Sequence, residues 1–205
     1  MSNSQFFLVT PPSPQSAAFR PQLMSLLDAV PVASVLLLPG DTNDEALRPT
    51  VEALRPVVQD RGIAFLIDGR PALAAQTGCD GVHTCPAGPP YGECRRVVGP
   101  QAIVGYSCRN NRHNAMVHAE LGADYIVFGE SNPSDEDTAN TLELIEWWSE
   151  LMEIPSVALD RLTNGNAREF AEAGADFLAI GPTLWDDPVT AVKEANRLAK
   201  YVDLI

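Results

Sequence analysis

Charged side chains follow several short apolar runs of this 205-residue chain, and their chemistry suits a site for a polar or anionic ligand. They are three carboxylates and three guanidinium groups, at Asp68, Glu130, Asp160, Arg70, Arg109 and Arg161. A carboxylate can act as a general acid or base, so we assign Asp68, Glu130 and Asp160 as candidate catalytic residues. Because arginine binds phosphate through two parallel N–H bonds, we expect the three arginines to contact substrate.

Five other residues after apolar runs are candidates for substrate contact: His83, Ser107, Gly129, Gly181 and Thr183. A glycine at the end of a strand lets a ligand approach the backbone closely. Ser107 lacks the G-x-S-x-G context of a nucleophile elbow, so no covalent catalysis is predicted. Structural alternatives exist for two candidates: Asp68 could shape the turn in "IDGRP" with Arg70 as its ion-pair partner, and His83 could be a structural histidine.

The elements that would position these residues alternate along the whole chain. Apolar runs typical of buried strands lie at 5–10, 33–38, 63–67, 80–83, 102–106, 124–129, 156–160 and 176–181. Amphipathic segments typical of helices lie near 19–30, 43–61, 70–77, 91–98, 110–121, 134–152, 163–173 and 186–202. This alternation predicts an α/β protein, a single small (β/α)8 TIM barrel over residues 1–205, with ligands bound beyond the strands' carboxyl ends. An open doubly wound sheet is the alternative, although G-x-G-x-x-G follows no strand.

Local signals at helix ends support this division. Ser134 is a plausible N-cap before three acidic residues, and Thr163 or Asn164 can cap the next helix. Three strands are introduced by similar phrases, "TGCDGVHT", "LGADYIVFG" and "AGADFLAIG". Their aspartates fall at strand amino ends, the face of a barrel that serves stability, so we predict structural roles for them.

Composition excludes several classes of function. The formal net charge of −13 disfavours binding to nucleic acid or to anionic membranes. No apolar run reaches the roughly 18 residues of a membrane span, and the amino terminus lacks a signal-peptide pattern, so a cytoplasmic protein is expected. The four cysteines lack paired spacing and are predicted to be reduced thiols rather than zinc ligands. The pair Trp147-Trp148 predicts a homo-oligomer contact, because one of two adjacent tryptophans on a helix is hard to bury in the core.

Several phrases, taken together and in order, resemble the thiamine phosphate synthase family, which includes thiazole tautomerase relatives. They are "IDGRPALAAQTGCDGVH", "IVGYSC", "LGADYIVFG", "IPSVAL" and "AGADFLAIG". The resemblance implies a transferase of thiamine biosynthesis that joins an aminopyrimidine-methyl diphosphate to a thiazole phosphate. It also implies small-molecule substrates, phosphate binding and magnesium as cofactor.

The chain departs from the family's pattern where the diphosphate and magnesium would bind. At the Asn-Asp-Arg stretch of the family it reads Asp68-Gly69-Arg70, so glycine stands at the place of a metal-binding aspartate. "TCPAG" follows the Gly-Val-His strand instead of a glutamine and an acidic residue, "LLLPGD" lacks the family's basic residues, and "ESNPSDED" replaces a Thr-x-Thr-Lys loop. Asp160-Arg161 replaces a Gly-Gly pair.

Three functions are therefore carried forward. The first is thiamine phosphate synthase chemistry with altered site residues. The second is isomerisation of a different small ring compound, with His83, Asp160 or Glu130 as acid or base, and the third is ligand binding without catalysis. We also hypothesise that Asp41, Asp68 and Asp160 form a new cation site, and that Arg70, Arg109 and Arg161 form a new anion site.

Overall fold

The computed structural model describes residues 4–185 and 188–201, which form a closed barrel of eight parallel strands. The strands are β1 (Gln5–Val9), β2 (Val32–Leu37), β3 (Ala64–Asp68), β4 (Gly81–Thr84), β5 (Ile103–Ser107), β6 (Tyr125–Gly129), β7 (Ser156–Leu159) and β8 (Phe177–Ile180). They pair in chain order, and β1 pairs with β8 through partners such as Leu8 and Ile180. The (β/α)8 prediction is confirmed, and the closed ring excludes the open sheet.

A helix follows every strand. They are α1 (Ser16–Leu27), α2 (Asp44–Gln59), α3 (Pro71–Thr77), α4 (Tyr91–Val98), α5 (Arg112–Glu120), α6 (Asp135–Leu151), α7 (Asn164–Glu172) and α8 (Pro188–Tyr201). A short 3-10 helix, Pro182–Trp185, lies between β8 and α8. Within the described residues, no helix is both long and apolar enough to cross a membrane.

Alternation along the strands divides the apolar side chains into two clusters, because successive residues of a strand point to opposite faces. The larger cluster lies between the barrel and the helices and includes Phe6, Leu8 and Trp148. The smaller cluster fills the barrel interior and includes Phe7, Leu66 and Tyr125. Inward side chains near the carboxyl ends of the strands therefore face the mouth of the barrel.

The three aspartates at strand amino ends have the structural role expected of them. Each carboxylate accepts the backbone N–H of a residue in the neighbouring strand: Asp80 from Phe65 at 2.7 Å, Asp124 from Val104 at 2.7 Å, and Asp176 from Ser156 at 2.8 Å. They satisfy backbone donors at the end of the barrel opposite its mouth.

The predicted helix caps are also confirmed. Ser134 Oγ accepts the N–H of Asp137, whose carboxylate accepts the N–H of Ser134 in return. Thr163 forms the same reciprocal arrangement with Asn166, so Thr163 rather than Asn164 is the cap. The acidic run after β6 thus begins α6, where negative charge is favourable beside the helix amino terminus.

All four cysteines are free thiols.

The two adjacent tryptophans of α6 have different surroundings. Trp148 is buried and donates its indole N–H to the carbonyl of Ile154 at 2.7 Å. Trp147 is half-buried, and the guanidinium of Arg112 lies 4.9 Å from the centre of its ring. An oligomer contact through Trp147 stays a prediction.

Candidate active site at the mouth of the barrel

A cavity of 190 Å³ opens at the carboxyl ends of the strands. Its walls are mostly apolar side chains, contributed by Phe7, Val9, Leu36, Leu38, Val127, Val157, Leu159 and Ala179. Its polar groups come from Asp68, His83, Cys85, Ser107 and Ser131. Apolar walls with a few polar groups are typical of sites that bind small ring compounds. We call this space the mouth cavity.

Asp68 and His83 are neighbours in the mouth cavity because they are paired residues of β3 and β4. Burial raises the pKa of the Asp68 carboxyl to about 6, although the nearby charge of Arg70 acts in the opposite direction. Burial lowers the pKa of His83 to about 4, because the charged imidazolium is poorly solvated there. At neutral pH the cavity therefore holds one carboxylate and one neutral imidazole.

Tyr125 supports His83 from within the barrel. Its hydroxyl lies 3.0 Å from Nδ1 of His83, and the two rings are nearly parallel with centroids 5.7 Å apart. The tyrosine ring occupies the space beside Gly105, where any β-carbon would collide with it. Sequence reasoning did not assign Tyr125 to the site, although its inward position, two residues before Val127, follows from strand alternation.

A second cavity of 270 Å³ lies beside the mouth cavity, between the ends of β7 and β8 and helix α8. Asp160, Arg161 and Gly181 line it, and we call it the side cavity. The two cavities share three lining residues, Ser131, Leu159 and Ala179. Ligands in the two cavities would therefore lie next to each other.

Asp160 is buried at the wall of the side cavity and is held by two hydrogen bonds. Thr138 donates its hydroxyl to the carboxylate at 2.9 Å, and the amide of Asn166 donates to it at 3.3 Å. Burial raises the pKa of Asp160, and the bond from Thr138 partly offsets this effect. These bonds fix the carboxylate between α6 and α7.

The side cavity is lined by one arginine, Arg161, and by two acidic side chains, Asp160 and Glu194, of which Glu194 is ion-paired with Arg197. Arg161 is exposed at the cavity wall, where its guanidinium can turn toward a ligand. The space that a side chain would occupy at Gly181 is open, since the nearest atom, on Val9, is 4.0 Å away. There is therefore room for a ligand close to the backbone of Gly181, and its contact with a substrate stays a prediction. The side chain of Thr183 lies outside what the structure describes.

Gly129 has a tighter environment than Gly181. Its backbone is left-handed, with φ of +90°, and a side chain there would collide with the carbonyl of Leu159. Its N–H donates to the side-chain oxygen of Asn110 at 3.0 Å, and Thr141 donates to the same oxygen. The collision with Leu159 explains why position 129 requires glycine. The hydrogen bond to Asn110 occupies the backbone N–H of Gly129, which a ligand would otherwise use. Its ligand contact stays a prediction.

The remaining candidates lie around the rim. Arg70 forms an ion pair with Asp44, 3.2 Å away, and so is held toward α2. Arg109 and Glu130 are exposed on the loops after β5 and β6 and line neither of the two cavities. The structure thus groups Asp68, His83 and Ser107 in one cavity and Asp160, Arg161 and Gly181 in the other.

The donor set does not fit a resident magnesium ion. Among residues 4–185 and 188–201, no group of three or more His, Cys, Asp or Glu side chains could hold a metal ion together. Asp68 is the one carboxylate among the described residues that line the mouth cavity, so protein groups alone supply too few oxygen ligands there to hold Mg²⁺. The hypothesis of a cation site formed by Asp41, Asp68 and Asp160 is wrong, because Asp41 is exposed and the other two line different cavities.

Comparisons with known proteins agree with this architecture and identify its relatives. Residues 6–183 match the family model described as thiamine monophosphate synthase. The chain is 44% identical to the thiamine-phosphate synthase of Rhodospirillum centenum over 206 aligned residues, covering 98% of this chain and 100% of that protein. It is 37% identical to the thiamine-phosphate synthase of Hyphomonas neptunium, covering 95% and 93% of the two chains. The fold is similar to that of thiamine phosphate pyrophosphorylase from Pyrococcus furiosus, with a TM-score of 0.82, 21% identity and coverage of 98% and 96%.

Proposed function

Since the chain belongs to the thiamine monophosphate synthase family, we propose that it joins an aminopyrimidine-methyl diphosphate to a thiazole phosphate. The observation that carries this proposal is the pair of adjoining cavities with shared walls at Ser131, Leu159 and Ala179. A reaction between two ring compounds needs two binding spaces whose ligands meet, and holding both reactants in contact lowers the entropic part of the barrier.

In this proposal the aminopyrimidine ring occupies the mouth cavity. Its flat faces pack against apolar side chains such as Leu36 and Val157, while its polar edge meets Asp68, His83 and Ser107. Asp68 accepts an N–H of the exocyclic amino group, and above pH 6 its carboxylate is mostly ionised. A negative charge at this point stabilises the positive charge that develops on the pyrimidine-methyl group.

The thiazole phosphate occupies the side cavity. Its phosphate is bound by Arg161 and by the open backbone at Gly181, both on the cavity wall. Thr138 holds the carboxylate of Asp160 by a hydrogen bond, and Asp160 in turn fixes the start of the loop that carries Arg161. The thiazole nitrogen then points past Leu159 toward the mouth cavity.

The chemistry consists of one bond broken and one bond formed. The bond between the methylene carbon and the diphosphate oxygen breaks, and pyrophosphate leaves with the electron pair. The lone pair of the thiazole nitrogen then forms a bond to the methylene carbon, which gives thiamine phosphate with a positively charged thiazolium ring. The apolar walls keep water from capturing the carbon first. We assign the departing pyrophosphate to Arg109, which is exposed on its rim loop, and to Arg70, which would have to leave its ion pair with Asp44 to reach it.

The test is product formation by the purified protein in magnesium-containing buffer. With both precursors present, thiamine phosphate and pyrophosphate should appear in equal amounts, as measured by mass spectrometry and a pyrophosphate assay. Omitting the thiazole phosphate is the control, and it should abolish thiamine phosphate. Absence of thiamine phosphate with both precursors would overturn the proposal.

Isomerisation of a single ring compound is a second candidate, favoured by one specific observation. Asp68, with a pKa of about 6, lies beside a neutral histidine in a cavity, as a proton-transfer site requires. Such an activity would exchange a ring-bound proton of one precursor with deuterated water without the other precursor. Exchange without coupling would favour this candidate, and coupling without exchange would exclude it. Glu130, exposed on its loop, stays a prediction as acid or base for either reaction.

A further inference from the structure

The side chain of Tyr125 is buried in the barrel, with 5% of the residue exposed, and its hydroxyl has one hydrogen-bond partner among the described residues, Nδ1 of His83 at 3.0 Å. Phe7 packs against the tyrosine ring with centroids 5.4 Å apart, and Gly105 leaves the room that the ring needs. The ring is therefore held in place from two sides, which keeps its hydroxyl beside His83.

The direction of this hydrogen bond follows from the hydroxyl proton. Burial raises the pKa of Tyr125 well above its usual value, so the hydroxyl keeps its proton. A buried O–H without an acceptor costs about 1–3 kcal/mol. If Nδ1 of His83 carried a proton, the tyrosine oxygen would accept it, and its own O–H would have no acceptor among the described residues. The arrangement that satisfies both groups has Tyr125 donating to an unprotonated Nδ1.

The other nitrogen of His83 is left for a ligand. Within residues 4–185 and 188–201, no protein group forms a hydrogen bond with Nε2, and the imidazole lines the mouth cavity. A neutral imidazole with an unprotonated Nδ1 carries its proton on Nε2. The ring therefore offers an N–H donor toward the space where a substrate would lie.

We infer that Tyr125 is a positioning residue, which fixes His83 as the Nε2–H tautomer and thereby makes the mouth cavity select a ligand with a hydrogen-bond acceptor at that point. A nitrogen of a heteroaromatic ring is such an acceptor. The tautomer is a property of the protein alone, whereas the choice of an aminopyrimidine as the ligand rests on the proposed function.

The experiment is nitrogen NMR of protein labelled with ¹⁵N-histidine, without ligand, near neutral pH. The chain has three histidines, and the signals of His83 are those lost in His83→Gln. In the native protein, Nε2 should have the chemical shift of a protonated nitrogen and Nδ1 that of an unprotonated one. Accepting a hydrogen bond shields Nδ1, so its resonance should move downfield in Tyr125→Phe. Tyr91→Phe, which removes a hydroxyl on the outer helix α4, is the matched control and should leave both signals in place.

Two results would overturn the inference: a proton on Nδ1 in the native protein, or an Nδ1 shift unchanged in Tyr125→Phe. If Tyr125→Phe does not fold, the native spectrum still decides which nitrogen is protonated. Adding the aminopyrimidine alcohol should move the Nε2 proton downfield, and its affinity should fall about tenfold in Tyr125→Phe, equivalent to about 1.4 kcal/mol. A failure of this compound to bind the native protein would count against the proposed function, while the ligand-free spectra would still decide the tautomer.

Discussion

Replacing Asp68 by asparagine should stabilise the protein at alkaline pH. The folded state raises the pKa of Asp68 from 3.8 to about 6, so folding disfavours its ionised form. Above pH 6 the carboxyl is ionised in both the folded and the unfolded protein. The difference between its two pKa values then lowers the free energy of unfolding by about 3 kcal/mol, at 1.36 kcal/mol per pKa unit. Asparagine has nearly the same shape and no charge, so it avoids this cost.

The stability gained by Asp68→Asn should depend on pH. For a carboxyl with a raised pKa, the native protein loses stability as pH rises through the interval from 3.8 to about 6. The advantage of Asp68→Asn should therefore be full near pH 8, fall to about half near pH 5, and vanish below about pH 4. Such a gain corresponds to an increase of roughly 6–12 °C in Tm for a domain of this size.

Urea denaturation of both proteins, measured at several pH values, provides the assay. Asp41→Asn is the control, because Asp41 is exposed, and its effect should stay within about 0.5 kcal/mol at every pH. The reasoning fails if Asp68→Asn is no more stable than the native protein near pH 8, or if its advantage is the same at every pH. Loss of turnover in Asp68→Asn would indicate that the buried carboxylate of Asp68 takes part in the reaction.

Three further predictions follow from the cavity geometry. Arg161→Gln should raise the KM for thiazole phosphate about 10- to 100-fold, since a hydrogen bond to a charged group contributes about 1.5–3 kcal/mol. The control Arg168→Gln, on helix α7, should leave this KM unchanged. Gly105→Ala should lower the free energy of unfolding by about 1–3 kcal/mol, because the added methyl group collides with the ring of Tyr125. The control Gly92→Ala meets no atom within 4 Å and should leave the free energy of unfolding unchanged. Equal effects of the two substitutions would contradict the close packing of Tyr125 on Gly105. Because burial lowers the pKa of His83 to about 4, its nitrogens should keep the chemical shifts of a neutral imidazole from about pH 8 to about pH 5.5, apart from a small displacement as Asp68 titrates near pH 6. Conversion to the shifts of an imidazolium above pH 6 would contradict the buried imidazole.

The fold was predictable from sequence because each element carries a strong local signal. Apolar runs of four to six residues and amphipathic segments alternate without interruption, and every predicted strand agrees with an observed strand to within one residue at each end. Helix ends were less certain. Helix α1 begins at Ser16 rather than near 19, since its N-cap residue, Gln15, makes no side-chain capping bond that would mark the start.

The candidate site was predictable only in part. Proximity to strand carboxyl ends identified Asp68, His83 and Asp160, because all such ends meet at one face of a barrel. The same rule cannot show which way a side chain on a loop turns, and so Glu130 was included although it is exposed and lines neither cavity. It also missed Tyr125, at the start of β6, whose long side chain reaches His83 from inside the barrel.

The division of the site into two adjoining cavities is tested most directly by a crystal structure of the protein with thiamine phosphate bound. We expect the aminopyrimidine ring in the mouth cavity beside Asp68 and His83, and the phosphorus atom in the side cavity within contact of Arg161 and Gly181. A phosphate bound elsewhere on the rim, such as beside Arg109, with the side cavity unoccupied, would contradict the account.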